Sequence, residues 1–180
     1  MAHPSTLVLG YGNPGRLDDG LGPALADAVG AFNLLGVTVL SDYQLSAEHA
    51  AELMSHDRVV FVDAAVEIEE PFFLRPLLPR AAVSFTSHSM RPEAVLSLAI
   101  DTLGWKGEAY LLGIRGHEFN EFGERLSAAA QANLKEAVEC LVLALDHEQD
   151  ERLGGVVTGG PVNDSVRIKN GDSPCATINM

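Results

Sequence analysis

Apolar residues along this chain come in short unbroken runs set between stretches of helical period. Thr6-Leu7-Val8-Leu9 is the first run and ends in glycine; Val37-Thr38-Val39-Leu40 and Val59-Val60-Phe61-Val62 follow, the last stopping at Asp63. Apolar runs without alternation mark strands buried on both faces, as in parallel sheets flanked by helices. Between the first two, residues from about 22 to 32 place Leu25, Ala28 and Val29 on one helical face. Ser46-Ala47-Glu48-His49 opens a second helix reaching about Ser55, with Ser46 as its N-cap. Phe72-Phe73-Leu74-Arg75-Pro76-Leu77 reads as an edge strand closed by proline. Arg91-Pro92-Glu93 starts a helix that extends to about Leu103, proline being tolerated in a first turn. Ala109-Tyr110-Leu111-Leu112-Gly113-Ile114 is a fifth strand, and Leu126-Ser127 opens a last helix running to about His147. The order β-α-β-α-β-β-α-β-α predicts an α/β fold, a three-layer sandwich with a mostly parallel, five-stranded twisted sheet between helices.

At 180 residues the chain fits one domain, which this pattern puts at residues 1–149. From 150 to 180 the periods break at Leu153-Gly154-Gly155 and Thr158-Gly159-Gly160-Pro161, so a flexible C-terminal tail is expected. The net charge of −13 argues against nucleic acid and anionic membrane as partners. No apolar run approaches the roughly 20 residues that span a bilayer. Cys140 falls in the apolar segment 137–145 and reads as a core residue, Cys175 sits in the tail, and no CxxC spacing offers a zinc or redox motif. Met1-Ala2-His3-Pro4 lacks the basic and apolar regions of a signal peptide, so a cytoplasmic protein is expected.

In an open α/β sheet, ligands bind outside the carboxyl ends of the strands. Three polar segments are expected there: Asp18-Asp19 after the first strand, Asp63 after the third, and Thr86-Ser87-His88-Ser89 before a helix. Asp19, Asp63 and His88 would then converge, and two carboxylates with one imidazole suit a borderline divalent metal such as zinc or nickel. Each has a plainer role available: the acids can cap the next helix, Asp63 can orient a loop, and a lone histidine can be structural. Gly10, Gly12 and Gly15 also fit the spacing of a dinucleotide fingerprint, with Asp42 as the ribose-binding acid, although Pro14 and two acids crowd the phosphate position.

GYGNPGRLDDGLG, VFVDA and SHSM together resemble the three motifs of the hydrogenase maturation endopeptidases, over about residues 5 to 145 and in the expected order. These proteases trim the C-terminus of the large subunit of nickel–iron hydrogenases. The resemblance implies that Asp19, Asp63 and His88 contact nickel already loaded into the precursor, and that the fold is a twisted sheet between helices. It implies a substrate-supplied metal with no tightly held organic cofactor, and the large-subunit precursor as partner. Asp18 is expected to be a cap or to support Asp19. Ser87 and Ser89 flank His88 without a triad partner, which makes a covalent route unattractive. Peptide hydrolysis would then use an activated water, as in an aspartyl-type or metal-assisted protease, with Asp19 or Asp63 as general base or the metal as Lewis acid. A self-metallated zinc hydrolase and a dinucleotide-binding module are the competing readings. Segments 67–73 and 115–122 are expected near the rim, where a partner would be recognised.

Overall fold

The computed structural model describes residues 4–80 and 90–153, with side chains as far as Asp146. Among these residues five strands form one sheet: β1 Thr6–Tyr11, β2 Val37–Asp42, β3 Arg58–Ala65, β4 Phe72–Pro76 and β5 Glu108–Arg115. Their spatial order is β2-β1-β3-β5-β4. All neighbours run parallel except β4, which pairs antiparallel with β5 on the outer edge. The proline-closed segment is therefore an edge strand, as its inability to donate a ladder hydrogen bond at Pro76 requires. Among the described residues four helices cover the sheet: α1 Leu21–Gly30, α2 Glu48–Leu53, α3 Pro92–Leu103 and α4 Ala128–Leu153.

The central strands read as they pack. Leu7, Val8 and Leu9 of β1 and Val59 to Val62 of β3 are fully buried, because helices lie on both faces. On one face Val8, Val60, Val62, Leu112 and Ile114 meet Leu21, Leu25 and Val29 of α1 and Ala137 and Leu141 of α4. Cys140 belongs to this cluster. On the other face Leu9, Phe61 and Val59 meet Leu53 of α2 and Val95, Leu96 and Ala99 of α3. These two apolar layers fix the sheet between its helices, and the carboxyl ends of β1, β3 and β5 are left to carry polar side chains.

Local features depart from the sequence reading in three places. Ser46 does not cap α2 through its side chain: the residue before the helix is Ala47, and the Ser46 backbone N–H donates instead to His49 Nδ1 at 2.9 Å. A 3-10 turn, Leu17–Gly20, intervenes between the first loop and α1. The last helix continues to Leu153 rather than ending near His147, since no glycine or proline stands in its path before Gly154. The expected tail beyond that helix lies outside the described residues, as does Cys175.

Candidate active site

The end of the sheet presents one row of residues. In the strand register Tyr11 of β1 faces Asp42 of β2, Asp63 of β3 faces Gly113 of β5, and Gly113 faces Phe73 of β4. Asp63 ends the apolar run of β3, where the helix layers stop and a charge can reach a solvent-filled cleft. Its carboxyl is nevertheless half-buried, and burial pushes its pKa up to about 6. The Asp19 charge adds to that rise, while a hydrogen bond from the Tyr11 hydroxyl and one from the Ala64 N–H (to Oδ1, 2.8 Å) oppose it. Tyr11 is in turn held in its neutral, donating form, first by burial and then by the neighbouring Asp63 charge.

Asp19 enters the same cleft from the first loop. Gly12 makes this possible: its φ is +139°, and a Cβ there would stand 2.0 Å from the Asp19 carbonyl oxygen. The loop thus folds directly onto the 3-10 turn. The Asn13 N–H donates to Asp19 Oδ2 at 3.1 Å, which orients the carboxylate and leaves Oδ1 without a partner among the described residues. Tyr11, Gly12, Asp19, Tyr43, Gln44, Leu45, Asp63, Met90, Arg91 and Pro92 line a cleft of about 400 Å³.

Asp18 turns the other way. It is fully buried and accepts four hydrogen bonds: from the N–H groups of His117 (2.8 Å), Glu118 (2.9 Å) and Ser127 (2.7 Å), and from the Ser127 hydroxyl (2.8 Å). Burial alone would raise its pKa, but these donors outweigh it and hold the carboxyl below its ordinary range. Asp18 does not cap the helix that follows it. Its partners belong to the loop after β5 and to the start of α4, where Ser127 Oγ also accepts the Ala130 N–H.

Two of the three expected site residues are thus brought together, and His88 lies outside the described residues. Among the described residues no three His, Cys, Asp or Glu side chains group as a metal site. The structure adds Tyr11 and Arg91, which the sequence reading passed over. Tyr11 had a weak signal, being the residue that continues the first strand into the glycine loop. Arg91 carries only the signal of a helix start, and it is the N-cap of α3.

The dinucleotide reading fails on geometry. A Cβ at Gly10 would stand 2.1 Å from the Gly22 carbonyl oxygen, so the space beside Gly10, like that beside Gly12, is filled by the protein's own backbone. The N–H groups of Asn13 and Gly15, which a phosphate would need, are taken by Asp19 Oδ2 and Asn13 Oδ1. Asp42 lies 3.5 Å from His49 Nε2, an ion pair available to the protonated ring, and takes the Tyr43 N–H at 2.6 Å.

The two expected rim segments are tied to each other: Arg115 Nη1 donates to the Glu69 carbonyl at 2.7 Å, and the Arg115 N–H to that of Pro71 at 2.9 Å. Beyond them Phe122 is 90% exposed, an apolar ring held out to solvent. No helix among the described residues is long and apolar enough to cross a membrane.

Sequence comparison matches no family model. It matches no curated protein either. Comparison of the fold gives clear likenesses. The [NiFe] hydrogenase maturation protease HycI from Thermococcus kodakarensis superposes with a TM-score of 0.66 at 20% identity, over 79% of this chain and 93% of that one. A hydrogenase 2 maturation peptidase from a Thaumarchaeota archaeon gives 0.58 at 24% identity, over 78% and 97%. The hydrogenase maturating endopeptidase HybD from Escherichia coli gives 0.58 at 19% identity, over 79% and 92%. The chain has the fold of the hydrogenase maturation proteases.

Proposed function

We propose that this chain is a hydrogenase maturation endopeptidase, which removes the C-terminal extension from the nickel-loaded large-subunit precursor of a nickel–iron hydrogenase. The observation that carries the reading is the meeting of Asp19 and Asp63 in one cleft at the ends of β1 and β3. That cleft sits on the fold of the maturation proteases, and its acids come from the two motifs that resemble theirs.

Nickel in this reading is part of the substrate. Asp19, Asp63 and His88 contact it, so a precursor without metal offers the cleft nothing to hold. Oxygen-donor carboxylates and an imidazole suit such a borderline ion and leave its remaining positions to the precursor's own ligands. Hydrolysis then needs a base for the attacking water and a proton for the leaving amine. Asp63, half-buried beside Asp19 in the cleft, is placed to take the water's proton and return it to the nitrogen as the C–N bond breaks. Tyr11 positions that carboxylate, and Asp19 keeps its proton affinity high. The reaction is assigned to the cytoplasm, with no organic cofactor held by the protein.

The test mixes the purified chain with nickel-loaded and with nickel-free precursor and follows the mass of the large subunit. Only the loaded form should lose its extension, and equal cleavage of both overturns the metal-reading role. Asp19→Asn, Asp63→Asn and His88→Ala should each abolish cleavage with the far-ultraviolet circular dichroism unchanged. Retained activity in all three would remove the site assignment.

A further inference from the structure

His49, in the first turn of α2, is a buried side chain that the chemistry above does not use; it is 8% exposed. An imidazole withdrawn from water needs partners for its nitrogens. Nδ1 accepts the Ser46 N–H at 2.9 Å and has the Ser46 hydroxyl 3.2 Å away. In the neutral ring that leaves the proton on Nε2, which faces Asp42 Oδ2 at 3.5 Å. Asp42 ends β2 and Ser46 stands just before α2, so one ring ties both ends of the segment 43–45. That segment is a wall of the larger cleft: Tyr43, Gln44 and Leu45 share its lining with Asp19 and Asp63. Leu45 is buried in the apolar layer between the sheet and helices α2 and α3. Its carbonyl accepts the Met90 N–H at 3.1 Å, and the Asp42 carbonyl accepts the Gly12 N–H at 3.1 Å. The wall is thus fastened to the motif loop on one side and to the approach to α3 on the other, while Tyr43 and Gln44 are left exposed.

We infer that Tyr43 and Gln44 are contact residues for the precursor, and that His49 is a positioning residue that holds them at the cleft. The inference rests on the endopeptidase reading above. A precursor that brings its metal to Asp19 and Asp63 enters a space of about 400 Å³ that these two side chains help to enclose. A phenol and a carboxamide both donate and accept hydrogen bonds, as the N–H and C=O groups of a bound peptide require. Such contacts hold substrate and transition state alike, so they act on binding rather than on the chemical step. An exposed dipeptide between a strand and a helix would lose conformational freedom on binding. Fixing it beforehand removes that cost, and a buried ring bonded at both ends of the segment does so.

The experiment measures kcat and KM of the full chain on nickel-loaded precursor by mass spectrometry, and amide hydrogen exchange of residues 42–46 in the chain alone. Tyr43→Ala and Gln44→Ala alter exposed side chains and keep the fold. Each should raise KM about three- to tenfold, the net worth of one hydrogen bond, with kcat nearly unchanged. His49→Leu fills the same space without an acceptor, so the 42–46 amides should exchange faster and KM should rise as in the surface variants. His49→Asn returns an oxygen for the Ser46 N–H and should restore slow exchange and most of the KM. An unchanged KM in both Tyr43→Ala and Gln44→Ala overturns the contact role while leaving the endopeptidase reading intact. Unchanged exchange or unchanged KM in folded His49→Leu overturns the positioning role. No cleavage of loaded precursor by the unmodified chain overturns the endopeptidase reading, and the contacts with it.

Discussion

The carboxylate of Asp18 takes both the backbone N–H of Ser127, at 2.7 Å, and its hydroxyl, at 2.8 Å, across more than a hundred residues of chain. One buried acid thereby joins the motif loop after β1 to the start of α4, and through His117 and Glu118 to the loop after β5. An uncharged amide cannot serve the same three N–H groups, because its nitrogen would face donors. Asp18→Asn should therefore cost about 3 kcal/mol at neutral pH, as expected for a buried charged acceptor losing its pairing. Urea unfolding of the two proteins measures it. Since folding lowers the Asp18 pKa, its contribution is full above the ordinary carboxylate range and fades as pH falls through the lowered value. The gap between the proteins should close in acid, and a gap that widens there contradicts the assignment.

Asp63 has the opposite linkage. Folding raises its pKa to about 6, so the folded state binds the extra proton and loses stability as pH rises from the ordinary carboxylate range through 6. Asp63→Asn should leave the fold as stable as the unmodified chain, or more so, at pH 8 while abolishing cleavage. Thermal unfolding at pH 5 and pH 8 checks the sign: the variant's relative advantage must grow with pH.

Removing the Tyr11 hydroxyl takes away a donor that favours ionised Asp63. In Tyr11→Phe the Asp63 titration should move above 6, read by carboxyl-selective NMR on the metal-free protein. The rise of kcat/KM with pH should shift in the same direction. An unmoved midpoint would reduce Tyr11 to packing.

Asp19→Asn keeps an oxygen for the Asn13 N–H, so stability should change by less than about 1 kcal/mol. Loss of its charge should lower the Asp63 midpoint, the reverse of the Tyr11→Phe effect. Measuring both variants by the same titration separates the two influences on one carboxyl.

Gly12→Ala places a methyl group against the Asp19 carbonyl oxygen at a φ that side chains rarely adopt. The expected cost is at least about 2 kcal/mol by denaturant unfolding, with cleavage lost because Asp19 is displaced. A variant of ordinary stability would show that the loop is not built on this approach.

Much of the architecture is written locally. The unbroken apolar runs at residues 6–9 and 59–62 can satisfy neither water nor a half-exposed sheet, so a parallel sheet between helices follows from the residues alone. So does the edge position of β4, from the missing donor of Pro76. Asp63 was legible for a related reason: an acid directly after a buried run can only stand at its carboxyl end, while Asp19 follows the first such run at the far side of its loop. What the sequence could not contain was the partnership of residues far apart along it. The resemblance of motifs singled out Asp19 from its neighbour, but nothing local in the two adjacent aspartates says where Asp18 goes. Only the packing of the β5 loop and α4 sends Asp18 inward to four donors, while the close approach of Gly12 turns Asp19 outward to the cleft. Likewise the missing side chain of Gly113 makes room for the Phe73 ring only because strand register sets the two opposite each other. Local composition determined which residues were buried and which strands ended in acid; long-range register and hydrogen bonding decided which acid faces the cleft.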